Sequence, residues 1–485
     1  MTRSLSVVAA ALAVTAVFAP TSRLRSSSSG EAGDRVAQVR APHQQLAYDV
    51  YKQLIEINTT NSVGDTTAAA EAMAARFRAA GFPEADIFVG GPVPRKGNLV
   101  ARYRGRASGL KPILLLAHLD VVEAKKEDWS SDLDPFKLIE KDGYFYGRGT
   151  SDDKAQAAIF VANLIRMKQQ NLVPDRDVIL ALTADEEGGE YNGVEWLLAN
   201  QRARVDAEYG LNEGGGGQSK GGRRVANRVQ ASEKVYVDFK LEATHKGGHS
   251  SQPQPENAIY EMADALTKIG KFAFPVKLNE VTRAYFEKMA GIEQGQVAAD
   301  FKAIAQPAPD QAAVTRLSSV PLYNAMLRTT CVATMLTAGH AQNALPQRAT
   351  ANVNCRILPG EDPQDVQQTL VKVIADPNIT VASDKPAKPS PPSPLTPAIM
   401  EVITRVTEEM WPGVPVIPFM STGATDGLYF RQAGIPIYGV SGLFGDMDDV
   451  RAHGRDERMG VKEFFEGQEF LWWVVNALSG ARPAK

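Results

Sequence analysis

Two cysteines in 485 residues cannot build a disulfide framework, and Cys331 and Cys355 are too isolated for a thiolate zinc site. Histidine is scarce too, at six. No charge sign dominates: 53 Lys and Arg face 56 Asp and Glu, a net charge of −3, so no global field recruits nucleic acid or anionic lipid. Glycine (40) and proline (29) are too few for a collagen-like or disordered chain. No apolar run reaches the ~18 residues of a membrane span, so no stable membrane insertion is expected once the N-terminus is cleaved. What remains is a globular chain, 44% hydrophobic. At roughly 150 residues per domain its length suits two or three domains.

The N-terminus reads as an export signal over 1–19: Arg3, then the apolar run LSVVAAALAVTAVF (5–18), with Val17 and Ala19 as the small residues before cleavage. An uncleaved anchor or a displaced start is the alternative. A polar linker follows over 20–40. The expected location is therefore periplasmic or secreted. There Cys331 and Cys355 form one disulfide if their strands are neighbours, and stay as two buried thiols if not.

Over 41–233 apolar strands alternate with helices. NLVARY (98–103), PILLLA (112–117), DVILALT (177–183) and 207–211 read as strands, the second and third apolar enough to be buried on both faces. Helical spacing runs through 47–57, 66–80, 154–167 and 193–200. The alternation predicts an α/β fold, with a mostly parallel catalytic sheet flanked by helices. From Lys234 the pattern changes: KVYVDFKLEA (234–243) alternates in period two, 330–336 and 349–357 are further strands, and 257–269 and 362–375 are helices. Residues 234–386 thus read as a smaller α+β domain inserted into the first, with the polar helical stretch 272–320 as its elaboration. A stiff Pro-rich linker, 387–397, returns the chain to the first domain at 398–485, which holds a helix over 398–410 and a buried strand over 435–440.

Charged residues fall where the strands stop. His118 closes PILLLA, with Asp120 at one remove; Asp152 and Asp153 precede a helix. Asp185, Glu186 and Glu187 follow DVILALT, Glu213 ends the next strand, and His453 lies beyond the last. That edge of an open α/β sheet is where ligands bind. Converging acids without a basic partner repel one another unless a cation sits among them. Two histidines with several carboxylates make an N/O set for zinc, or for cobalt or manganese, and five candidate ligands suit two metals better than one. Taken singly, a histidine at a strand end is more often a surface residue and a DEE run a solvated turn. Their shared edge is what changes the reading.

Six motifs then carry a resemblance: LLLAHLDVV (114–122), YGRGTSDDK (146–154), TADEEGG (183–189), NEGG (212–215), KGGHSSQP (246–253) and AHGRDER (452–458). In this order, around an insert, they resemble the M20 family of di-zinc metallopeptidases and aminoacylases over nearly the whole mature chain. The resemblance implies two Zn2+ ions, with His118 on one, His453 on the other, Asp152 bridging, and Glu187 and Glu213 completing the two spheres. It implies Asp120 as the acid that holds the His118 ring in its tautomer, and Glu186 as the general base. The insert resembles the family's lid, which also mediates dimerisation, so a homodimer is implied; some relatives are instead monomers with an enlarged lid. His249 resembles the histidine that meets the oxyanion, and Asn343 and Arg356 those that hold the substrate carboxylate. Thr425, in GATD (423–426), matches a loop near the substrate.

The implied function is hydrolysis, by metal-activated water, of an amide bond next to a free carboxylate in peptides or N-acyl amino acids. NEGG and the long insert look most like the Gly-X carboxypeptidase and N-acyl-amino-acid hydrolase branch. A dipeptidase of the same family is the alternative. A non-catalytic peptide-binding homologue would have lost a ligand or the base, and none is lost. Other motifs fail on spacing. GRGTSDDK is no phosphate loop, GGGGQSKGG no dinucleotide fingerprint, and His245 and His249 lack the glutamate of HExxH. DMDDVRAHGRDE departs from a calcium loop at Val450 and Arg451.

Overall fold

Two apolar strands, Ile113–His118 and Val178–Thr183, are buried at every position and lie side by side in parallel. Ile113, Leu115 and Ala117 face one helical layer, while Leu114 and Leu116 face the other. Period-two alternation thus feeds two cores from one strand. Tyr209–Asn212 and Ile437–Gly439 continue the parallel set. Antiparallel strands flank it: Ile87–Gly90 and Asn98–Tyr103 on one side, Arg223–Glu233 and Gly216–Lys220 on the other. The mostly parallel, helix-flanked sheet expected from the sequence is therefore the core of the molecule. The helix Lys154–Gln169 is buried on nearly all sides, between this sheet and the helices Pro42–Glu56 and Val461–Ser479.

The computed structural model describes residues 40–483, so the expected export signal and all but the last residue of the 20–40 linker lie outside the described residues. Among the described residues, no helix is long and apolar enough to cross a membrane.

A second sheet is antiparallel throughout, in the order Thr330–Ala338, Arg348–Ile357, Val235–Thr244, Ile379–Ala382. Helices Ala258–Lys271 and Pro363–Ile374 cover one of its faces. Val235–Thr244 alternates buried and open positions along its length, as its period-two sequence requires. Cys331 and Cys355 stand opposite each other in the ladder and are disulfide-bonded, which decides the alternative left open above.

The helical stretch expected to elaborate the insert has a different attachment. Helices Glu280–Met289, Gly295–Ile304 and Gln311–Ser318 bring Phe286, Phe301 and Leu317 into one cluster with Ala226, Ile417 and Met420 of the large sheet. Each helix buries only one stripe, which is why the segment reads as polar.

Both crossings between the sheets meet in one buried network. Glu233, the last residue before the insert, pairs with Arg431, and each is almost completely buried. Arg431 also donates to Ser390 Oγ (2.9 Å) and to the Ile437 carbonyl (3.1 Å). Ser393 N donates to the Ala231 carbonyl at 2.7 Å, so the returning Pro-rich linker is fastened at the crossing. Lys234 is buried beside it, with Nζ donating to the Arg328 carbonyl at 2.7 Å.

Candidate metal centre

Each acid or imidazole picked out by the sequence sits at or just beyond the C-terminal end of a parallel strand, or on the turn before a helix. His118 is the last residue of its strand, and Glu186 and Glu187 follow Val178–Thr183. Asp152 lies just ahead of the helix Lys154–Gln169, and Glu213 follows Tyr209–Asn212. His453 comes from the loop after Phe444–Asp446, with a left-handed φ of 62°.

The carboxylate of Asp152 lies between two rings: His118 Nε2 is 3.0 Å from Oδ1, and His453 Nε2 is 3.2 Å from Oδ2. His453 Nε2 also lies 2.9 Å from Glu187, and His118 Nε2 lies 4.0 Å from Glu213. Glu186 joins on the His118 side, with ligand atoms of His118, Glu186 and Glu213 within 4.8 Å of one another. The structure thus brings together all five expected ligands and the expected base.

Electrostatics explain why protons alone serve this cluster poorly. Burial, with Glu186 and Asp152 adding, pushes the Glu213 carboxyl well up. Burial does the same to Glu186, helped by Asp426, Asp120 and Glu187. Burial opposes a charged His118, yet its bond to Asp152 and the surrounding acids hold the ring well above the imidazole range. His453 is pushed up to about 10 by its bonds to Asp152 and Glu187. Among the described residues no Lys or Arg bonds to the carboxylates of Asp152, Glu187 or Glu213. Glu187 Oε1 is buried with no hydrogen-bond partner. A surplus of acid, two imidazole nitrogens turned toward it and an orphaned carboxylate oxygen fit a pair of dications on either side of Asp152.

Asp120 acts differently from expectation. His118 Nδ1 meets the Asp120 backbone carbonyl at 3.0 Å, while the carboxylate is 3.7 Å from the ring. That carboxylate accepts from Glu186 N (3.1 Å) and Glu187 N (3.0 Å). The tautomer is therefore set by a carbonyl, and the side chain holds the turn that presents Glu186 and Glu187.

The remaining expected residues lie elsewhere. His249 and Asn343 are exposed, His249 on a short ladder between Gly248–His249 and Ala344–Leu345 and Asn343 on the turn just before it, and His249 Nδ1 lies 2.7 Å from Ser251 Oγ. Arg356 is half-buried on the uncovered face of the inserted sheet, 4.6 Å from the Tyr236 ring. None of the three bonds to the metal cluster in this structure. Thr425 is buried: its hydroxyl donates to Glu233 at 2.9 Å and accepts from Asn212 at 3.3 Å and Gly427 N at 3.2 Å. With one donor and two acceptor sites filled, it is committed to the crossing network and not turned to a ligand.

A family model, peptidase family M20/M25/M40, matches residues 114–475. The chain belongs to this family. It is a hydrolase of the M20 type, and individual relatives agree. It is 26% identical over 504 residues to the human N-fatty-acyl-amino acid synthase/hydrolase PM20D1, covering 99% of this chain and 98% of that protein. It is 29% identical to probable carboxypeptidase S-like 2 of Dictyostelium discoideum, over 78% of this chain and 74% of that one. The fold matches an M20 family metallo-carboxypeptidase, Sso-CP2 of Sulfolobus solfataricus, with a TM-score of 0.66 at 17% identity, covering 89% of this chain and 99% of the other.

One residue of this M20 chain lies beside the site without having been singled out. Asp426 accepts from Thr183 Oγ1 (2.9 Å) and Asn192 Nδ2 (2.6 Å), and burial pushes its carboxyl up to about 6. Its charge bears on Glu186. The signal was the acid of GATD (423–426), one position beyond Thr425.

Proposed function

We propose that this M20 enzyme hydrolyses an amide bond next to a free carboxylate, in N-acyl amino acids or in peptides attacked from the carboxyl end. Two zinc ions would be held by His118 and Glu213 on one side and by His453 and Glu187 on the other, with Asp152 between them; cobalt or manganese suits the same donors. The chemistry such ions supply when bound is charge stabilisation at a carbonyl oxygen and a lowered pKa for water. Glu186 takes the proton of the attacking water and passes it to the leaving nitrogen. Burial and neighbouring acids raise its proton affinity toward the working pH, as that shuttle requires. Arg356 pairs with the substrate carboxylate through its planar fork, Asn343 assists, and His249 meets the developing oxyanion.

Arg356 stands on the inserted sheet and His249 and Asn343 at the short ladder beside it in sequence, so they reach the substrate by closure of the inserted domain or from a second copy of the chain. The outer strand of the sheet supports the second copy: Thr330–Ala338 pairs only on one side and exposes Val332, Met335 and Leu336. Export is supported by the apolar run at 5–18 and by the Cys331–Cys355 bond, which persists in oxidising compartments.

The observation that carries the reading is one carboxylate held between two imidazoles, with a further acid, Glu186, beside them. The test is a panel of N-acyl amino acids, C-terminally free peptides and dipeptides. Release of free amino acid that is lost on chelation, restored by zinc and lost in Glu186→Gln supports the assignment, and the ranking of the panel separates acylase, carboxypeptidase and dipeptidase. A folded, zinc-loaded protein that turns over none of them sinks the substrate class and leaves a peptide binder.

A further inference from the structure

Four residues beyond His453, Glu457 has no solvent exposure, yet it contacts no expected metal-ligand side chain. Its carboxylate is filled instead by one turn of chain about 300 residues away. Oε1 accepts from Ser151 N (2.7 Å), Ser151 Oγ (2.9 Å) and Asp152 N (3.2 Å). Oε2 accepts from Arg148 Nη1 (2.7 Å) and Gly149 N (3.1 Å). Arg148 completes the loop from the other side. Its Nη2 donates to the carbonyls of Gly454 (3.0 Å) and His453 (3.4 Å), and its guanidinium carbon lies 5.6 Å from the Trp129 ring.

The consequence is geometric. Asp152 and His453 belong to segments that meet only in the folded state, and their rings and oxygens must agree to within a few tenths of an ångström for a shared cation. Asp152 is held by its own N–H, and His453, in an uncommon left-handed conformation, by its own carbonyl. Both bonds run to the same buried ion pair.

We propose that Glu457, through Arg148, is a positioning residue that fixes Asp152 against His453 and so sets the affinity of the metal those two share. The proposal rests on the two-metal reading above. Its test is equilibrium competition for zinc against a chromophoric chelator, on the full chain, with circular dichroism and Tm of the metal-free protein beside it. Removing both charges together avoids stranding a buried ion. Arg148→Met with Glu457→Leu abolishes the clamp, and Arg148→Met with Glu457→Gln keeps one acceptor oxygen for Ser151 and Asp152.

The first pair should weaken one zinc by about 10–100-fold, the range typical of partners that orient a ligand. The second pair should recover most of that loss. Ser151→Ala, which deletes only the 2.9 Å hydroxyl bond and leaves the fold intact, should cost a few-fold. In each, kcat should return at saturating zinc while KM stays near wild type, a pattern that general loosening of the fold does not produce. Wild-type zinc affinity in the folded variants overturns the positioning role. A wild-type chain that takes up fewer than two zinc ions overturns the two-metal reading, and the proposal with it.

Discussion

His118 is buried among Asp120, Asp152, Glu186, Glu187 and Glu213, whereas His249 and Asn343 stand in solvent at a ladder of two residue pairs. Both sets come from loops at sheet edges, and the proposed reaction draws on both. The first set is tied to the large sheet through its backbone and through the Asp152 and Asp120 carboxylates, and the like charges held together there would separate in a less rigid setting. Such crowding is affordable only where the large sheet and its two helical layers fix the strand ends. The second set is lightly held, at a separate ladder of two residue pairs. The groups that store charge are built into the rigid body, and the groups proposed to recognise substrate stand on an exposed element outside it.

Removing Glu186, the proposed general base, is the hardest blow to this contrast. Glu186→Gln should lower kcat by about 10²–10⁴-fold and leave zinc content at wild type, checked by turnover and elemental analysis of the same sample. Loss of metal along with activity would place Glu186 among the ligands. Next comes the disulfide, which belongs to the inserted sheet alone. Cys331→Ala with Cys355→Ala should cost that domain about 3 kcal/mol by the chain-entropy argument, read as a lower denaturation midpoint, with zinc affinity unchanged. Arg356→Ala should reduce kcat/KM by about 10–100-fold, the worth of a charge-assisted bond to carboxylate, with unaltered metal binding. An equal loss on substrates lacking a carboxylate would remove Arg356 from recognition.

The last effect is one of pH. Burial pushes Lys234 down to about 7, while an unfolded lysine titrates near about 10.4. Between these values the unfolded chain binds more protons, so this group makes stability rise with pH, and its contribution is lost as pH falls through 7. The Tm of wild type minus that of Lys234→Met should therefore grow from pH 7 to pH 10. A flat difference would mean that the ammonium keeps its charge on the Arg328 carbonyl.

Strands with one chemical character were legible. Asn98–Tyr103 and the helix Gly193–Asn200 have the boundaries their sequences suggest. Arg223–Glu233 was hidden because Asn227, Gln230 and Glu233 are polar yet buried, held by Thr407, Glu233 and Arg431, so no apolar alternation marks the strand. Val416–Ser421 carries Pro418, which argues against a strand except at an edge, and this strand pairs with Arg223–Glu233 alone. In the site, the gathering of acids and imidazoles was legible because His118, Glu187 and Glu213 end or follow strands, whereas the choice of Asp152 over Asp153 rested on the resemblance. Glu457 was not legible: in RDER it looks like one more solvated charge, and its partners lie some 300 positions away. The orientation of Asp120 was equally out of reach, since a sequence does not say whether a carbonyl or a carboxylate will face a ring.

Any rotation of the inserted sheet about the crossing at Glu233 and Arg431 is magnified along it. The strand Val235–Thr244 leaves the crossing as an arm of ten residues, about 30 Å long at the usual rise. A rotation of about 10° at the base would sweep the tip, where the chain runs on to His249, through about 5 Å. The arm magnifies slack in the same proportion. Aim at the tip is thus decided at the base, by a buried ion pair that no substrate touches.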